Sequence, residues 1–69
     1  MSHRYFTLLR READGLWAIE FGDYSRRVVQ DELEDMIGGW ESVRRKDLRI
    51  ITTGDDQASI NAAVADLNH

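Results

Sequence analysis

Gly54-Asp55-Asp56 is the kind of stretch that can bind a metal, because neighbouring carboxylates offer hard oxygen ligands to a cation. No further acid is placed to complete an oxygen cage, so the stretch is read as a turn leading into a helix N-cap. The histidines are His3 and His69, close to the two ends, where chains tend to fray. With no cysteine and no internal histidine, Ser-His and Cys-His nucleophile pairs have few candidates. Carboxylate pairs exist, but acid–base catalysis needs a cleft that moves their pKa values apart, and 69 residues rarely enclose one. Gly38-Gly39 lacks the spacing of a phosphate loop or dinucleotide fingerprint. The expectation is a protein that is not an enzyme, with no catalytic residue, no metal site and no cofactor.

The remaining chemistry is that of charged surfaces. Asp31, Glu32, Glu34 and Asp35 crowd one segment, and Arg44, Arg45, Lys46 and Arg49 another. Asp31, Glu34 and Asp35, joined by Glu20, Asp23 and Glu41, would offer carboxylates to a basic partner, as a protein that blocks a nucleic-acid-binding surface does. The plainer alternative is the solvated side of a helix. Arg44, Arg45, Lys46 and Arg49, with Tyr5 available to stack a base, give a foothold for nucleic acid. Against this, Asp47 interrupts the basic run and the net charge is -4. Nucleic acid is therefore not the expected partner.

These residues must be positioned by one small domain, residues 1–69, with 42% hydrophobic and 32% charged residues and no proline. No disulfide can staple it, and so small a core makes self-association, most simply a homodimer, expected. The apolar stretches fall far short of the ~20 residues of a membrane helix. No apolar leader run follows Met1-Ser2-His3-Arg4, so a cytoplasmic location and no membrane partner are expected.

Arg4 to Arg10 alternates as a strand, with Phe6 and Leu8 on one side and Tyr5, Thr7 and Leu9 on the other. Asp14-Gly15 reads as a two-residue hairpin turn. A second strand, Leu16 to Phe21, then sends Trp17, Ile19 and Phe21 to one face and Leu16, Ala18 and Glu20 to the other, with Leu8 paired to Phe21. A helix from Ser25 to Ile37 follows, with Ser25 as N-cap and Tyr24 stapled on Val29. Its apolar stripe is Val29, Leu33 and Met36, with Ile37 at the edge, and Asp31, Glu34 and Asp35 oppose it. Gly38-Gly39 ends it at positive φ, and Trp40 folds back on the core. A third strand, Asp47 to Thr53, precedes a helix from Gln57 to Leu67, along which Ile60, Ala63, Val64 and Leu67 form a line.

The order is β-β-α-β-α. The expected fold is α+β, a three-stranded antiparallel sheet ordered 2-1-3 with the first helix packed on one face. The C-terminal helix would lie beside the first helix, project outward, or cover the second face. Uncovered, that face shows Tyr5, Thr7, Leu9, Leu16, Ala18 and, from the third strand, Ile51 or the Leu48/Ile50 pair, an apolar patch suited to a protein partner.

The stretches Trp17 to Tyr24 (WAIEFGDY) and Lys46 to Ile60 (KDLRIITTGDDQASI) resemble small proteins encoded in bacteriophage and prophage genomes. In these an aromatic-acidic-Phe-Gly-Asp-Tyr strand end leads into an acidic helix, and a charged strand leads through a Gly-Asp turn into an Ala-rich helix. The resemblance covers nearly the whole chain and implies an origin more than a function. The N-terminal half is also similar to HicB-type antitoxins in running strand, Asp-Gly turn, strand, helix. It departs from them in having Gly22-Asp23-Tyr24 where they carry a Pro-Gly-Cys turn, and it has no appended DNA-binding segment. The expected function is a small phage-type module that binds a protein and self-associates. The alternative is an acidic inhibitor of a basic surface, and the third reading is weak nucleic-acid binding.

Overall fold

A computed structural model of the chain describes residues 3–39 and 43–69. Trp40 and Glu41, expected on the core and in the acidic surface, lie outside the described residues. The elements are β1 (Arg4–Arg11), β2 (Trp17–Asp23), α1 (Arg26–Gly38), a 3-10 turn (Arg45–Asp47), β3 (Leu48–Gly54) and α2 (Gln57–Leu67). The strands form one antiparallel sheet ordered β2-β1-β3, so β1 is central.

The hairpin reaches its expected pairing by a different route. Glu12 N–H donates to Leu16 O (2.7 Å) and Gly15 N–H to Glu12 O (2.9 Å). The loop is thus Ala13-Asp14-Gly15, one residue longer than expected, with Gly15 at φ 85° in the left-handed region. The Asp14 carboxylate accepts from Leu16 N–H at 3.0 Å. The longer loop pairs Arg11 with Trp17, Arg10 with Ala18 and Leu9 with Ile19. A β-bulge then leaves Glu20 over, and beyond it Leu8 pairs with Phe21 as expected.

Because paired residues share a face, the bulge changes which side chains lie together. Phe21 stays with Leu8, but Trp17 and Ile19 move to the side of Leu9. Ala18, expected beside Leu9, sits opposite Arg10 on the other face. On β3, Leu48 and Ile50 pair with Arg10 and Leu8, whereas Arg49, Ile51 and Thr53 pair with Leu9, Thr7 and Tyr5.

α1 covers the Leu8 face. Leu8, Val29, Leu33, Val43 and Leu48 form a buried cluster, flanked by Phe6, Phe21, Met36, Ile37 and Ile50. Ser25 caps the helix through Val28 N–H at 3.5 Å. The helix ends without a left-handed residue: Gly39 is at φ -75°. What demands glycine there is space, since a Cβ would stand 2.7 Å from Asp35 O.

The opposite face is closed too. Leu9 is 0% and Thr7 1% exposed, and Ile60 of α2 is buried. α2 starts beside the end of β3, and its C-cap residue Asn68 lies on β2. The Asn68 side chain accepts from Trp17 N–H (2.6 Å) and donates to Trp17 O (2.9 Å). The helix therefore crosses the sheet diagonally and buries the middle of β1 from the side away from α1. No helix among the described residues is long and apolar enough to cross a membrane.

Candidate functional site

The expected sheet-face interface is not open. Thr7 and Leu9 are buried beneath α2, and Ile51 is half-buried on that face. Tyr5 leans over Gly22, where an added Cβ would meet its ring carbons at 2.7 and 2.8 Å. Leu16 stays exposed, but at the residue that closes the hairpin loop with Glu12, and Ala18 is on the α1 side. The six residues therefore do not form one surface. The apolar alternation of β1 marked a second core, not a docking patch.

At the end of the sheet where β1 begins, the Tyr24 ring, expected over Val29, stands edge-on to Tyr5 with centroids 5.1 Å apart. Its hydroxyl donates to the Asp55 carboxylate (3.2 Å), whose charge raises the Tyr24 pKa. Asp56 caps α2, accepting from Ser59 N–H (2.9 Å) and from the Ser59 hydroxyl (2.8 Å). The hydroxyl bond is the leading cause that holds the Asp56 carboxyl below its ordinary pKa. Both acids of Gly54-Asp55-Asp56 are thus engaged in local structure. Among the described residues no group of three or more His, Asp or Glu is placed to hold a metal ion.

Asp31, Glu34 and Asp35 are exposed on α1, and their carboxylates have no ion pair or side-chain hydrogen bond among the described residues. Arg44, Arg45 and Lys46 are exposed on and beside the 3-10 turn, and their side chains have no ion pair or hydrogen bond among the described residues. The two groups do not neutralise each other. Asp47 within the basic turn pairs with Arg11 at 2.9 Å, and that guanidinium lies 5.5 Å from the Trp17 ring centroid. Arg49 is exposed on the α2 side of the sheet, so the four cations of the basic segment do not follow one line. Tyr5, the aromatic expected to stack a base, is turned onto Gly22 and stands edge-on to Tyr24.

The surface that the sequence did not reveal is the outer edge of β3. The bond from Glu12 to Leu16 sets the phase of the ladder: Arg11, Leu9 and Thr7 turn their peptide groups toward β3. Arg49 and Ile51 answer them, so Ile50 and Thr52 direct N–H and C=O outward. Neither residue's outward groups have a partner among the described residues. The opposite edge differs. On β2 the Glu20 bulge breaks the line, and Asn68 occupies both outward groups of Trp17. One edge is protected by two devices; the other, Ile50-Ile51-Thr52-Thr53, has no charge, proline or bulge. No protein-family model, curated protein or solved structure matches the chain.

Proposed function

We propose that this protein is a small cytoplasmic interaction module of phage type that binds a protein, itself included, and carries out no catalysis. The surface it uses is the outer edge of β3, where a partner's extended segment adds a strand to the sheet. The observation behind this reading is the contrast between the bare edge at Ile50 and Thr52 and the blocked edge at Trp17 and Glu20. Strand addition draws its affinity from main-chain hydrogen bonds, so it needs neither a pocket nor a large apolar patch. Thr52→Pro tests it. Proline removes an N–H that the internal ladder does not use and puts a ring in the partner's path. Proteins captured from host extract by the parent chain should be lost with a variant of unchanged circular dichroism. A captured partner held equally well by Thr52→Pro places the interface elsewhere.

A second reading rests on Asp31, Glu34 and Asp35, which have no counter-ion among the described residues. Here α1 offers its carboxylates to a basic protein surface. Glu34→Lys with Asp35→Lys should then abolish capture while Thr52→Pro leaves it intact. The opposite pattern supports the strand edge.

A further inference from the structure

We propose that the occupant of the β3 edge is a second copy of the same chain, paired antiparallel about a two-fold axis. This rests on the reading of that edge as a protein-binding surface, and it adds the orientation, register and stoichiometry of self-pairing.

The first argument is charge. Arg44, Arg45 and Lys46 lie just before β3, and Asp55 and Asp56 just after it. The strand therefore has a basic end and an acidic end, separated by an uncharged β-branched centre. An antiparallel copy sets each basic end against the other copy's acidic end. A parallel copy would set like against like. Asp47, the acid inside the basic turn, is already neutralised by Arg11 at 2.9 Å.

The second argument is register. Outward peptide groups must meet outward peptide groups, and the register that uses both bare residues sets Ile50 and Thr52 of one copy against Thr52 and Ile50 of the other. Ile51 then sits on the axis opposite its own counterpart, a β-branched pair of the kind that stabilises cross-strand contacts. The single charge within β3, Arg49, falls opposite Thr53 and meets no like charge.

The third argument is closure. Among the described residues each copy has one unbroken bare edge, because the line of β2 is interrupted by the Glu20 bulge and by Asn68. Pairing through β3 consumes both bare edges, so the assembly stops at two copies and does not extend into a filament. The product is a continuous six-stranded sheet, twice the three strands of the monomer.

The test is mass in solution by light scattering over a concentration series, with three exposed substitutions. The parent chain should move toward twice its 8.0 kDa mass as concentration rises. Arg45→Glu with Lys46→Glu makes both ends acidic, and Asp55→Lys cancels the charge of the acidic end, since Asp56 remains. Each variant alone should dimerise at least tenfold more weakly. An equimolar mixture of the two should dimerise more tightly than either variant alone, because the mixed pair restores one full contact between a basic and an acidic end. A parent chain that stays monomeric throughout overturns the proposal. So does a dimer indifferent to either charge reversal. The strand-edge reading fails separately: it stands if Thr52→Pro abolishes capture of another protein while the parent chain is monomeric, and it falls if that capture survives.

Discussion

Thr7→Val should stabilise the protein. Thr7 is 1% exposed in the central strand, beneath α2, and its hydroxyl has no hydrogen-bond partner among the described residues. A buried, unpaired hydroxyl costs roughly 1–3 kcal/mol by mutational measure. Valine has nearly the same shape, keeps the β-branch suited to a strand, and replaces that hydroxyl with a methyl. Taking the low end of the range, since the unfolded chain also gains an apolar group, the variant should gain about 1 kcal/mol. For a domain of this size that raises Tm by roughly 4–8 °C. Urea and thermal unfolding followed by circular dichroism measure it. Thr52→Val, at an exposed position of β3, serves as control and should stay within about 0.5 kcal/mol of the parent. A Thr7→Val variant no more stable than the parent refutes the reasoning: either water reaches Thr7 or another group satisfies it, and α2 does not close that face.

Leu9→Ala should cost roughly 2–5 kcal/mol in urea unfolding, whereas Leu16→Ala, at a side chain 47% exposed, should stay within about 0.5 kcal/mol; equal costs would contradict the burial of the sheet face. Gly22→Ala pushes a methyl into the Tyr5 ring and should cost roughly 1–3 kcal/mol, a penalty that Tyr5→Ala relieves in the double variant. The pH dependence has a defined sign at Asp56. Its folded pKa is lowered, so its contribution is complete above the ordinary carboxylate range and fades as pH falls through the lowered value. Asp56→Asn can still cap α2 but does not titrate, so its Tm should fall less steeply on acidification; identical acid limbs would count against this assignment.

Much of the architecture is legible in local pattern. Ser25 announces the start of α1, Val29, Leu33 and Met36 its buried stripe, and Asp56 the start of α2. The hairpin is legible except for one residue: Asp-Gly serves a two-residue turn and a longer loop equally well, because either uses glycine at positive φ. The bulge at Glu20 restores the expected Leu8–Phe21 pairing, which hides the difference, yet it puts Trp17 and Ile19 on the other face. No local signal marks that bulge. The placement of α2 is a tertiary fact. Tyr5, Thr7 and Leu9 declare that their face needs a cover, but they do not say whether the cover is α2 or another molecule. The expected 2-1-3 order already makes β3 an edge strand, but which of its residues face outward depends on ladder phase, which the loop length sets.

The clasp between Asn68 and Trp17 joins positions 51 residues apart, and the central strand precedes the two strands and two helices that complete its surroundings. A nascent chain that has not yet emitted α2 leaves Leu9 and Thr7 bare beside an incomplete ladder. Productive folding therefore waits until α2 and Asn68 have left the ribosome. A product cut short before Gln57 would be an aggregation-prone sheet, not a smaller working protein.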